Sequence, residues 1–136
     1  MLHKKITYTD YDGNTRTEDH YFNLSKAELM EMATSENGGM DKVLEKIIAE
    51  QDTKRIIHLI KELITKSYGE KSNDGKRFIK SEELTTAFMQ TEAFSNLYME
   101  LVSDAEKAAE FVNGIVPADV AAQAQAMQNN KLAAAN

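Results

Sequence analysis

The chain has 136 residues, a formal net charge of −6 and no cysteine, a size that suits one domain with a modest core. Without cysteine it cannot form disulfides, thiolate metal sites or a thiol nucleophile. Its negative charge argues against general nucleic-acid binding, because neutralising phosphates requires Lys and Arg. No apolar run approaches the ~18 residues that a membrane span needs, and the first residues lack the apolar core of a signal peptide. A cytoplasmic protein without nucleic-acid or membrane partners is therefore expected.

Basic residues are concentrated in residues 53–80. This range has eight basic and three acidic groups, a balance of 8 − 3 = +5, which leaves −11 for the rest of the chain. Either acidic parts of the same domain complement this surface, or it binds an acidic partner. In the second case Lys54, Arg55 and Lys61 are the candidate contact residues.

Residues 5–24 have the composition of a β-hairpin. β-branched and aromatic residues flank a turn at residues 12–14, and His20, Phe22 and Leu24 fall on one face. An isolated hairpin is marginal in water, so this face must pack on helices or on another chain. Both edges of the hairpin would be free in a monomer unless they are covered, which favours a homo-oligomer.

A short helix is predicted to follow the hairpin. Ser25 and Glu28 have the spacing of a capping box, in which each side chain bonds the other residue's backbone N–H. Leu24 and Leu29 stand where a hydrophobic staple would form, and the helix is expected to end near Thr34.

The densest apolar pattern lies between Met40 and Tyr68, and we take it as the centre of the core. Apolar residues recur there at helical spacing in two runs, the first ending at Ile48 and the second following Asp52 as N-cap. Gly69 is expected to end the second helix in the left-handed conformation.

Further helices are predicted beyond a polar loop at residues 70–78. Ser81 and Thr91 are suitable N-caps, and Ser103 begins a second capping box that starts a last helix or marks a kink in a longer one. Gly and Pro within residues 114–117 end the pattern.

These signals together predict a mainly α fold. A single small domain of about five or six helices with an N-terminal β-hairpin would occupy residues 1–117. Residues 118–136 are rich in Ala, Gln and Asn, so they are expected to form a flexible tail or a segment that a partner orders.

The chain lacks the motifs of common catalytic and metal sites. Residues 70–81 have the look of a calcium loop, but Ser81 occupies the twelfth position, where a bidentate Glu is required. The histidines have no metal-ligand spacing, and no nucleophile stands in a known motif. We therefore expect no cofactor, no metal and no enzymatic activity.

Several segments carry a resemblance to a known family. The sequences at Gln51–Ser72, Asp74–Ser81, Phe88–Phe94 and Glu110–Pro117 resemble the small tail assembly chaperones of long-tailed bacteriophages, especially those of Gram-positive hosts. The resemblance lies in the general character of the sequence and not in a catalytic motif, and it covers roughly residues 5–117.

The resemblance implies a non-enzymatic protein of the host cytoplasm that is absent from the mature virion. It implies binding to the tape measure protein and recruitment of tail tube subunits. A chaperone for a long apolar helix needs apolar grooves, and methionine adapts to varied partners. The candidate groove residues are Met30, Met32, Met40, Met89 and Met99, although each could instead fill a gap in the core.

The rival hypothesis is a small phage-encoded interaction protein that regulates or inhibits a host protein. Such a protein would bind one compact partner in a defined ratio. A chaperone would instead line a long client with several copies.

Overall fold

The protein, described from a computed structural model over residues 1–33 and 53–118, contains five helices and a four-stranded sheet within those ranges. The mainly α fold with an N-terminal hairpin is confirmed in outline, but the sheet has four strands where the sequence predicted only the two of the hairpin. The elements in chain order are β1 (Leu2–Thr9), β2 (Thr15–Phe22), α1 (Lys26–Ala33), α2 (Thr53–Ser67), β3 (Tyr68–Lys71), β4 (Phe78–Ile79), α3 (Glu82–Met89), α4 (Glu92–Ser103) and α5 (Ala105–Ile115).

The hairpin is present and begins at Leu2 rather than at the predicted residue 5. β1 and β2 pair antiparallel along their whole length. The connecting turn is closed by Asp10, whose carboxylate accepts the backbone N–H groups of Asp12 and Asn14 at 3.0 and 2.9 Å. Gly13 has φ +85°, a conformation that glycine adopts without steric cost.

The sequence left open whether the hairpin edges are covered within the chain, and β3 covers part of one of them. β3 pairs antiparallel with β2 at Tyr21↔Gly69 and Phe22↔Tyr68, and then with β4. The predicted polar loop at residues 70–78 is therefore a second hairpin.

Gly69 is also not the left-handed helix end that the sequence predicted. α2 ends at Ser67, and among the described glycines only Gly13 and Gly75 have positive φ. Gly69 lies in β3, where a Cβ would stand 2.6 Å from Phe78 Cε2 and 2.7 Å from Ile79 O. The glycine is required by close approach of β4 and not by its own backbone angle.

The predicted helix starts largely hold. Ser25 N–H donates to Glu28 Oε1 at 2.9 Å and Glu28 N–H donates to Ser25 Oγ at 3.1 Å, which is the capping box. Ser81 and Thr91 cap α3 and α4. The cap of α5 is Asp104, one residue after the predicted Ser103, so α4 and α5 are separate helices.

The core lies between one face of the sheet and the helices. From α2 it receives four apolar side chains that are at most 7% exposed: Leu59, Ile60, Leu63 and Ile64. Opposite them Phe22 packs edge-on against Phe111, with ring centroids 5.3 Å apart. The second apolar run predicted within residues 40–68 is thus confirmed as core. The first run, the Asp52 cap and the tail from residue 119 lie outside the described residues.

His20 is the one histidine that the sheet buries among the described residues. Its ring lies 5.2 Å from that of Phe88, and its Nδ1 is 3.2 Å from Glu18 O. Burial lowers the pKa of the His20 imidazole below its ordinary value, against the opposing effects of the hydrogen bond to Glu18 and of the Glu18 and Asp19 carboxylates.

We expect the protein to lose stability as the pH falls below about 6.5, the ordinary His pKa. Above this pH, His20 is neutral in both states and its contribution is complete. As the pH falls towards the lowered folded-state pKa, the unfolded chain binds the proton first, so the free energy of unfolding decreases. Urea melts of the parent at pH 7.5 and 5.5 should show this loss, and His20→Gln should reduce it.

The matched control for this experiment is His58→Gln, because His58 is exposed on α2. This variant should keep the pH dependence of the parent. Equal pH dependence in the His20→Gln variant and the parent would refute the assignment to His20. The pKa values of Asp10, Asp19, Glu28 and Asp74 are lowered from ordinary values that already lie near 4, so those carboxyl groups titrate below the tested window.

Candidate functional site

A shallow groove of about 580 Å³ runs between α2 and α3. We call it the α2/α3 groove, and its lining residues are Lys61, Thr65, Lys66, Lys80, Ser81, Glu82, Thr85, Thr86 and Met89. It combines the half-buried side chain of Met89 with three lysines that come from two different parts of the chain.

The α2 side of the groove follows from helical spacing. Lys61 and Thr65 are four residues apart on α2, so they lie on the same side of the helix, and the Thr65 hydroxyl donates to Lys61 O at 2.9 Å. Lys66 pairs with Glu62 one turn earlier, Nζ to Oε1 3.4 Å. Lys61 is exposed and forms no ion pair with any described residue, so its charge is available to a ligand.

The opposite side is held by the segment between β4 and α3. Lys80 Nζ donates to Glu28 Oε2 at 2.6 Å, which ties the groove to the capping box of α1. Burial opposes ionisation of Glu28, but the hydrogen bonds from Lys80 and from Ser25 outweigh it and lower the Glu28 pKa. The charge of Lys80 is therefore held in an ion pair with Glu28, whereas the charge of Lys61 has no such partner among the described residues.

Eight residues were selected from the sequence, and of the seven that the structure describes only Lys61 and Met89 line the groove. Met30 and Met99 are exposed on α1 and α4, by 71% and 56%, and Met32 packs partly buried against the core. Lys54 and Arg55 are exposed in the first turn of α2, outside the groove. Met40 lies outside the described residues.

Sequence reasoning missed Lys66 and Lys80 as members of the site. Both belong to the basic range 53–80, and Lys66 follows Lys61 by five positions on the same helix. Lys80 joins the groove only because β3 and β4 fold back beside α2, a pairing that the sequence pattern did not reveal.

The solvent side of the sheet is a second surface, but its side chains are largely paired with each other. The His3 ring stacks on Tyr21 with centroids 4.8 Å apart, and Lys71 Nζ lies 4.6 Å from the Tyr21 ring centroid. His3 Nε2 is 2.7 Å from Asp19 Oδ1, and this bond lowers the Asp19 pKa against the opposing effect of burial. These contacts join β1, β2 and β3 across the solvent face of the sheet.

The described residues contain no group of three or more His, Cys, Asp or Glu side chains placed to hold a metal ion. Among the same residues, no helix is both long and apolar enough to cross a membrane. The segment that looks like a calcium loop contains the turn of the β3–β4 hairpin, where Asp74 accepts from the Ser72 hydroxyl and from Lys76 N–H at 2.6 and 3.0 Å.

Comparison with known proteins gives a match to a family model. A family model described as phage tail assembly chaperone matches residues 1–135, which is nearly the whole chain. No curated protein and no solved structure matches.

Proposed function

We propose that this protein, which belongs to the phage tail assembly chaperone family, binds the tape measure protein and helps to recruit tail tube subunits during tail assembly. Its role is non-enzymatic. We place it in the cytoplasm of the infected cell and outside the mature virion, and we assign it to a long-tailed, siphovirus-type phage of a Gram-positive host.

The observation that best supports client binding is the composition of the α2/α3 groove. Met89 gives a flexible, polarisable apolar surface that adapts to different side chains of a client. Lysine stems can extend this apolar surface while their ammonium groups stay in water. An amphipathic client helix would place its apolar face on Met89 and acidic residues beside Lys61.

Co-expression of the tape measure protein with this chain tests the proposal. The parent should increase the soluble fraction of the client, and Lys61→Glu should reduce that effect several-fold because it replaces an attractive contact by a repulsive one. The matched control is Lys76→Glu, the same charge change at an exposed residue of the β3–β4 turn. It should act like the parent.

Three outcomes would count against the proposal in different ways. A client equally insoluble with and without the parent would refute the chaperone function. Equal effects of the Lys61→Glu and Lys76→Glu variants would refute the groove as the docking site. Stoichiometric binding to one compact host protein instead of the client would favour the regulatory protein.

A further inference from the structure

β2 has a strand neighbour along its whole length on one side only. It pairs with β1 at all eight positions, but with β3 only at Tyr21 and Phe22. β3 then pairs with β4. Over residues 15–20, β2 therefore has no neighbouring strand on the β3 side within the described chain.

The direction of the β2 backbone groups follows from the bonds on the β3 side. Asn23 N–H donates to Ser67 O at 2.7 Å, and Tyr21 pairs with β3. Alternate residues of a strand direct their N–H and C=O groups to the same side. Thr17 and Asp19 therefore direct their N–H and C=O groups towards the β3 side of β2, where β3 no longer pairs with it.

A hydrogen bond on the side of β1 that faces away from β2 independently supports this direction of the β2 backbone groups. Asn96 Nδ2 donates to Thr7 O at 3.2 Å, so the backbone groups of Thr7 face away from β2. Thr7 stands directly opposite Thr17, and such a pair has its backbone groups pointing outward on both strands. No described residue bonds the main-chain groups of Thr15, Thr17 or Asp19.

We propose that this open edge of β2 pairs with the same edge of a second copy of the chain, antiparallel across a two-fold axis at Thr17. The three residues on each copy would form about six main-chain hydrogen bonds, two between the Thr17 residues and four between Thr15 and Asp19. The contact is isologous, so it closes at a dimer.

Charge favours this register over one with the two-fold axis at Asp19. A two-fold axis at Asp19 would place two carboxylates opposite each other, which is unfavourable. An axis at Thr17 instead places Arg16 of each copy opposite Glu18 of the other. Arg16 Nη1 already lies 3.8 Å from Glu18 Oε2 of its own chain, so the four side chains would alternate in charge.

The divergence of β3 leaves room for the second copy. A cavity of about 290 Å³ lies at this point, and it is lined by Asp19, His20, Tyr21, Tyr68, Gly69, Glu70 and Lys71. In the proposed register Gly13 of the second copy comes opposite Tyr21, at the mouth of this cavity. Gly13 has no side chain and open space around it, so the turn can enter.

Edge strands are usually protected from such pairing by Pro, by charged side chains, especially Lys, or by a bulge. Residues 15–19 read Thr-Arg-Thr-Glu-Asp and contain neither Pro nor Lys. Of their three charged side chains, Arg16 and Glu18 come opposite each other in the proposed register. The ladder is short, because it joins only three residues of each copy, whereas a stable interface has roughly 20–30 residues a side. The dimer is therefore weak in dilute solution and becomes populated where copies are concentrated.

Cysteine cross-linking detects a weak contact, and the chain has no cysteine of its own. In Thr17→Cys the two Cα atoms would be ~5.5 Å apart, within the range of a disulfide. Oxidation should give a disulfide dimer on a non-reducing gel. The matched control is Thr7→Cys, which is exposed on the same face and loses the same 2.9 Å hydroxyl contact. In the proposed dimer the two residues at position 7 would be three strand spacings apart, ~14 Å, so this variant should stay monomeric.

A mixture of Thr15→Cys and Asp19→Cys tests the register. It should give more heterodimer than either variant gives homodimer, with each variant's thermal melt checked against the parent. Equal cross-linking at positions 7 and 17, Asp19→Cys homodimers in excess of heterodimers, or no dimer at millimolar chain would each overturn the proposal. Because none of these readouts involves a client, they fail or succeed independently of the proposed function.

Discussion

The substitution Ile60→Asp is expected to abolish the folded state. Ile60 is 2% exposed in the middle of α2, between Leu59 and Leu63 of the core. An aspartate there would bury a carboxylate without a partner, at a cost of several kcal/mol. The free energy of unfolding of a domain of this size is only about 5–15 kcal/mol, so this loss is comparable to the entire stability of the fold. The cooperative thermal melt followed by circular dichroism should disappear.

The neighbouring residue gives the control for this prediction. Lys61→Glu also places an acidic side chain on α2, but at an exposed position, where substitutions usually change stability by less than about 0.5 kcal/mol. It should melt like the parent, so its loss of client binding cannot be attributed to unfolding. A normal melt for Ile60→Asp would mean that α2 is not the centre of the core.

The helices were predictable because their signals are local. Side chains at helical spacing on α2 gave the buried face, and Ser25 with Glu28 gave a capping box that forms as two short hydrogen bonds. Both features depend on residues within one or two turns of each other. Such patterns predict local structure without any information about distant parts of the chain.

β3 and β4 were not predictable on the same grounds. β3 has four residues and β4 has two, too few to show the alternation that marks a strand. Gly69 after a long helical run has the local signature of a helix end. Only the pairing of Tyr21 with Gly69, 48 positions apart, makes it a strand. The same non-local pairing carries Lys80 to the groove, so the site was only partly predictable.

The second large effect is expected for Gly69→Ala. The added Cβ would meet Phe78 Cε2 at 2.6 Å and Ile79 O at 2.7 Å. The phenyl ring could rotate aside, but Ile79 O belongs to the backbone of β4, which is held in register with β3. Relief therefore requires β4 to move away, and overpacking of this kind costs typically 1–3 kcal/mol. Thermal and urea melts should show this loss.

Gly114→Ala is the matched control, because it adds the same methyl group at another crowded glycine. There the closest atom is Leu2 Cδ1 at 2.9 Å, the end of a flexible side chain that can shift. Gly114 also lies within α5, where alanine favours the helix over glycine by about 1 kcal/mol. The two effects should nearly cancel and leave the melt close to the parent's. If both variants lost the same stability, the cost would be general to glycine replacement. Only a selective loss in Gly69→Ala would show that the approach of β4 to β3 requires glycine at this position.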